Sequence, residues 1–295
     1  MYAQRQPQES ELLKIINCRF TRDLDPRTDW FGVEDEDQVI DIPNSFAPRS
    51  PKDVVLKCLA TSYVTFALVY SAIRSGDLDF FFSSLAGVSL IFAMCYMWIS
   101  LANTIVGVDQ PRRLEKVPNV VCFQWLSFNL ALHASVLSAL LYWISVFEYG
   151  ETTITLENVS THFGALLVII LEGFVINRIP IRWFYWWATC LPVAVLYIAW
   201  TFLHSELEIG NPNEDSDLLY KFFDWKNDLM WAGIHSAIAV MAVSPAVQSI
   251  AFAVSLYGIQ CRNIRRYVNE EELGKSDSSE TQEANPHEAS GASEP

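Results

Sequence analysis

"THFGALLVIILEGFVINRIPIRWFYWW" (residues 161–187) decides the fold. Its first part is apolar enough to cross a bilayer, its middle turns at Pro180, and its end opens a second apolar run. Yet His162 stands near one end of the first run and Glu172 lies inside it. A hydrocarbon core of roughly 30 Å needs about 20 apolar helical residues, and ionisable groups within such helices usually face the bundle interior. The stretch therefore predicts two helices of a membrane bundle joined by a tight turn, "NRIPIR", through which Pro180 cannot continue a helix.

Worked outward from there, the same test finds six spans: residues 54–73, 80–106, 119–147, 157–177, 183–203 and 230–258. The 51% of apolar residues is gathered into these blocks, the signature of a membrane protein. The expected fold is all-α, a six-helix transmembrane bundle over residues 54–258 with an N-terminal tail at 1–53 and a C-terminal tail at 259–295. The second, third and sixth spans exceed the minimum and predict tilt or extension beyond the hydrocarbon. Residues 1–53 are too polar for a signal peptide, so the first span is expected to act as its own insertion signal. The N-terminal tail predicts one short helix at 9–17, and the acidic, Ser-rich segment from about 269 is too poor in apolar residues to order.

Sixteen of the 20 Lys and Arg fall in one alternating set of segments: both tails, the 107–118 connection with Arg112, Arg113 and Lys116, and the 177–182 turn with Arg178 and Arg182. The other set holds only Arg74, Lys221 and Lys226, with Lys57 at the mouth of the first span. The positive-inside rule then places both tails in the cytosol. The outer connections carry twelve acids, among them Asp224 and Asp228. With a net charge of −14, this disfavours nucleic acid or anionic headgroups as outer partners. The expected partners are membrane lipids, with proteins meeting the cytosolic tails. The plasma membrane and the endoplasmic reticulum fit equally. No cysteine lies in an outer connection, which argues against structural disulfides. Cys261, beside a basic cluster, is a candidate palmitoylation site, and Asn158 opens a glycosylation sequon close to the membrane.

The polar residues inside the spans are the candidate site. His162, His204 and His235 are expected near the outer mouth and His133 near the middle of the third span. That span also holds Gln124, Ser127, Asn129, Ser135 and Ser138. Asn129 and His133 share one helical face and Gln124 and Ser135 nearly the opposite one, so the third span is expected to be central and covered on both sides. Glu172 lies about 15 Å deeper than His162 and roughly 80° around an ideal helix. It is therefore expected to be protonated or paired with a polar group of a neighbouring helix, such as Asn129 or Gln124. Gln124, Asn129, His133 and Glu172 read as packing residues that join helices by hydrogen bonds. No phosphate loop, G-x-S-x-G, H-E-x-x-H or zinc-spaced Cys/His pair is present. No cofactor is expected, and metal ligands are left unassigned.

The order of a His, an acid ten residues on, a Pro- and Arg-containing turn, "LPVAVLYIAWTFLH" and "LLYKFFDW" resembles that of Rolling stone-like proteins. These belong with the androgen-induced and androgen-dependent tissue-factor-pathway regulator proteins. "FQWLSFNLALHASVLSALLYW" is likewise similar to that family's helix, and the resemblance covers residues 119–230. In the androgen-responsive branch it implies intramembrane hydrolysis of fatty-acyl esters by a Thr nucleophile and a His. His162 falls at the His, whereas the Thr falls on Leu126, with Ser127 beside it. The Rolling stone branch, which this chain resembles more closely, is linked to myoblast fusion.

The resulting expectation is an outer-leaflet polar pocket that hydrolyses fatty-acyl esters. His162 would be the general base, Ser127 or Ser135 the nucleophile, and His235 or Asp224 an orienting group. One alternative is a non-enzymatic membrane-organising, cell-surface or fusion-related interaction protein. The other is a haem or metal carrier using two of His133, His162 and His235.

Overall fold

The computed structural model describes residues 51–106, 119–149, 156–209, 219–255 and 257. The helix expected at 9–17, both tails with Cys261, and Arg112, Arg113 and Lys116 lie outside the described residues. The architecture below is that of the compact unit ending at Ser255.

All secondary structure among the described residues is helical. In chain order, α1 is Pro51–Ser75, α2 the short Leu78–Ser83, α3 Leu85–Val106 and α4 Asn119–Tyr149. Then come α5 at Ser160–Ile176, α6 at Trp183–Glu206 and α7 at Leu229–Ser255. Five of these, α1, α3, α4, α6 and α7, are long and apolar enough to cross a membrane. This is the make-up of a multipass membrane protein, because only closed barrels and helices satisfy every backbone group inside lipid. α5 is apolar but shorter, and it follows directly on the helical turn Leu156–Val159.

The expected single helix over 80–106 is instead two. Asp77 caps α2 by accepting from the Phe80 backbone N–H at 2.9 Å, and Ser84 adopts an extended backbone that ends it. α3 restarts at once, and Gly87 is what allows it, since a Cβ there would overlap the Phe81 backbone carbonyl.

α4 lies at the centre. It packs along α3 on one side and reaches α5 and the start of α6 on others. In its most apolar window 67% of residues are buried, against 17% for α6 and 22% for α7. α6 and α7 turn Val195, Leu196, Met241 and Ile250 outward, each more than half exposed, as lipid-facing residues would be. Close approach of α5 to its neighbours depends on two glycines. A Cβ on Gly173 would overlap the Phe128 ring of α4, and one on Gly164 would overlap the Tyr63 hydroxyl of α1.

Among the described residues four π-helical turns interrupt the helices: Ser160–Gly164 and Leu171–Ile176 in α5, Trp186–Cys190 in α6 and Ala239–Val243 in α7. Two have a local cause. Pro192 and Pro245 follow the turns in α6 and α7, and a proline removes the amide that would bond four residues back. Widened turns of this kind recur at functional sites.

At one end of the bundle, the 177–182 hairpin closes α5. Arg178 takes a left-handed backbone, φ 54°, and the Ile179 N–H returns to the Gly173 carbonyl at 2.8 Å, as helix C-termini commonly do. The hairpin is tied to α7: Gln248 Nε2 donates to the Arg182 carbonyl at 2.7 Å and the Ile181 N–H to Ser255 Oγ at 3.2 Å. At the opposite end, "LYKFFDW" (residues 219–225) folds onto the helices, burying Leu219 and Phe223. The Tyr220 oxygen accepts from the Leu85 N–H at 2.9 Å, and burial raises the Tyr220 phenol above its ordinary pKa. It stays protonated at neutral pH and can donate to Tyr197, whose own hydroxyl donates to the Ser83 carbonyl at 3.2 Å.

Candidate functional site

Polar side chains gather at three depths. Nearest the hairpin, Glu172 is 1% exposed, held by the π turn of α5. Its carboxylate accepts from the Tyr96 and Ser100 hydroxyls of α3 and from Asn177 Nδ2 at 2.6 Å. Lys57, also 1% exposed, lies 3.6 Å away. The Lys57 ammonium donates to Asn177 Oδ1 at 2.6 Å and to Thr104 Oγ1 at 2.7 Å. Asn103 and Gln124, joined at 2.8 Å, continue the polar layer from α3 to α4. A buried ion pair keeps its place only when its remaining donors and acceptors are satisfied. Here three helices and the hairpin satisfy them.

This layer corrects two expectations. Glu172 pairs with α1, α3 and Asn177, whereas Gln124 bonds α3 and Asn129 bonds α6. Lys57 is a buried ion-pair partner, although the sequence suggested a residue at the mouth of its span. The overlooked signal was depth: Lys57 is about 9 Å from the start of α1 and Glu172 about 8 Å from Asn177 at 1.5 Å per residue.

Toward the opposite end, the other π turn of α5 presents His162 to α4. His162 Nδ1 lies 3.1 Å from Ser138 Oγ, and the imidazole stacks on the Tyr142 ring at 4.3 Å and 11°. Neighbouring residues bind α5 to α1: Ser71 to Thr161 and Tyr63 to Ser160, both at 2.8 Å between hydroxyls. His162 is half-buried and Ser138 is buried. A hydroxyl beside an imidazole nitrogen is the minimal arrangement for base-assisted nucleophilic attack.

Thus His162 meets Ser138 of α4, one of the hydroxyls on the polar third span. Ser135 is buried three residues before it, and Ser127 is half-buried about 16 Å further along the helix. His235 is engaged with its own loop, its Nδ1 3.0 Å from the Phe222 carbonyl. Asp224 accepts from the Asn227 backbone at 2.8 Å and from the Asn227 side chain. Among the described residues no carboxylate hydrogen-bonds to His162. His204, expected close to water, is fully buried and packs edge-on to Trp200. The signal for Ser138 was its spacing from Tyr142, four residues on and on the same helical face.

Midway between these layers, Asn129 Nδ2 donates to Cys190 Sγ at 3.2 Å, and Trp186 Nε1 donates to Ser244 Oγ at 2.8 Å. The π turns of α6 and α7 are thereby joined beside His133. His133, His162 and His235 each engage a different partner. Among the described residues no three His, Cys, Asp or Glu side chains converge to hold a metal.

Comparison with known proteins identifies no relative: no protein-family model matches the sequence, and no curated protein or solved structure is significantly similar to it.

Proposed function

We propose that the chain is a six-span membrane protein that hydrolyses a fatty-acyl ester at Ser138 and His162. The single observation that carries the chemistry is the 3.1 Å approach of Ser138 Oγ to His162 Nδ1, held by the stacked Tyr142 ring. His162 would accept the Ser138 proton as the alkoxide attacks the acyl carbonyl. The proton would pass to the departing alcohol, leaving an acyl-serine that water cleaves with His162 again as base. Ser138 takes the role that the sequence offered to Ser127 or Ser135. In this scheme α5, extended by Leu156–Val159, is the sixth crossing, and the charge asymmetry puts the hairpin and both tails in the cytosol. The resemblance to the androgen-induced branch supports the ester substrate, and the resemblance to Rolling stone-like proteins supports the multipass fold.

The test is turnover of a panel of fatty-acyl esters by the purified protein in lipid. Ser138→Ala and His162→Ala should each remove it in folded protein, whereas Ser127→Ala and Ser135→Ala should retain it. Absence of turnover across the panel, with the wild type folded, favours the second reading, a non-enzymatic membrane-organising protein. The burial of Ser138, 3% exposed, favours that reading, because a nucleophile must meet its substrate.

A further inference from the structure

A cavity separate from the Ser138–His162 pair opens among α3, α4, α6 and α7. Its enclosed space is about 70 Å3, and it is open on one side. Its wall is almost entirely apolar, with Val88, Leu130, Leu137 and Val193 typical, and Phe223 of the folded loop contributes to it. On α4 the cavity-lining residues 130, 133, 134, 137 and 141 form one stripe, about 100° around the helix from the face that carries Ser138 and Tyr142. Two proline-linked π turns help to create the space, since Cys190 and Ser244, which end or follow those turns, both line it.

One buried polar atom there has no partner. His133 is 3% exposed and lines the cavity. Its Nδ1 is 2.9 Å from the Asn129 backbone carbonyl. A carbonyl can only accept, so Nδ1 carries the hydrogen and neutral Nε2 keeps a lone pair. The Ser244 backbone is close to the ring, yet Nε2 is left without a hydrogen-bond partner. A backbone carbonyl could not satisfy it, because two acceptors cannot bond. A buried acceptor left unmade is costly, and His133 is the one residue with such an atom among those that line the cavity.

We infer that this cavity binds a neutral membrane lipid ending in a single hydroxyl, which donates to His133 Nε2 while the carbons next to it occupy the apolar space and the rest of the chain leaves through the open side. A charged head is disfavoured by the apolar wall, and a head that only accepts would face a second acceptor. This assignment uses neither Ser138 nor His162, so it stands or falls separately from ester hydrolysis.

The test uses the full chain in phosphatidylcholine nanodiscs and a diazirine-bearing analogue of 1-hexadecanol. After photolysis, labelled peptides are mapped by mass spectrometry. The label is expected on the cavity stretches of α4, α6 and α7. Unlabelled 1-hexadecanol should compete about five- to tenfold better than its methyl ether, which cannot donate, the difference made by one hydrogen bond. His133→Phe should erase that preference, and Ala194→Trp should remove the label by filling the cavity. Equal competition by alcohol and ether on the wild type would overturn the assignment whatever the variants do. So would labelling elsewhere, or a preference that persists in folded His133→Phe.

Discussion

The ion pair at the hairpin end and the imidazole in the middle of the bundle meet their surroundings in opposite ways. Around Glu172 every charge has partners: the carboxylate accepts from Tyr96, Ser100 and Asn177, and Lys57 donates to Asn177 and Thr104. Around His133 two atoms go unpaired, Nε2 beside an apolar cavity and the Oδ1 of neighbouring Asn129. Groups that exist to fix helix packing are expected to close their hydrogen bonds within the protein, because lipid offers none. Gln124 Nε2, Asn129 Oδ1 and Gln248 Oε1 are also left open, but His133 differs from them in lining a cavity. The contrast separates two uses of polarity in helices whose sequences look equally greasy.

The largest effect should come from breaking the closed layer. Lys57→Met or Glu172→Ala leaves its partner charged and buried, costing about 3–5 kcal/mol. Thermal unfolding in detergent, followed by size exclusion, should show each single variant severely destabilised. The double variant Lys57→Met/Glu172→Gln should recover a substantial part. If the singles melt like the wild type, the layer is not what holds α1, α3 and α5 together.

Next in size is Gly173→Ala. Its methyl would meet the Phe128 ring, and overpacking of this kind costs about 1–3 kcal/mol. Trimming the obstacle in Gly173→Ala/Phe128→Leu should return part of the melting temperature, and a failure to do so would place the strain elsewhere.

A smaller shift is expected from Ser138→Ala. It removes one hydrogen bond to His162, about 1 kcal/mol of stability, whatever it does to turnover. A loss as large as that of Lys57→Met would make Ser138 part of the closed packing system and count against its use as a nucleophile.

The smallest effect, and the sharpest contrast, belongs to His133→Phe. It gives up the bond to the Asn129 carbonyl but also removes an unsatisfied acceptor, so stability should change by less than about 1 kcal/mol in either direction. A melting temperature depressed as far as in Glu172→Ala would show His133 to be as structural as the hairpin layer.

Much of this organisation is legible in the chain. Apolar blocks of span length locate the helices because a bilayer imposes a minimum length on any helix that crosses it. Asn129 and Gln124 point to opposite, protein-covered faces of α4 because an unbroken helix has a fixed angular step, and both find partners on neighbouring helices. The same arithmetic fails on α5. The angle counted from His162 to Glu172 assumes regular turns, but both residues sit in π turns, where extra residues per turn shift every later side chain. It fails again at 80–106, where hydropathy is blind to the Asp77 cap and the break at Ser84.

By itself, then, the sequence determined an all-helical, multipass membrane protein, with its polar residues at given depths, because length and hydropathy act along one chain. Only the tertiary structure decided that Glu172 meets Lys57, that His162 meets Ser138, and that His133 opens onto a cavity. Those pairings depend on how far each helix is rotated against its neighbours. That rotation is set by π turns, by Gly164 and Gly173, and by the hairpin docked on α7, all of which act between helices.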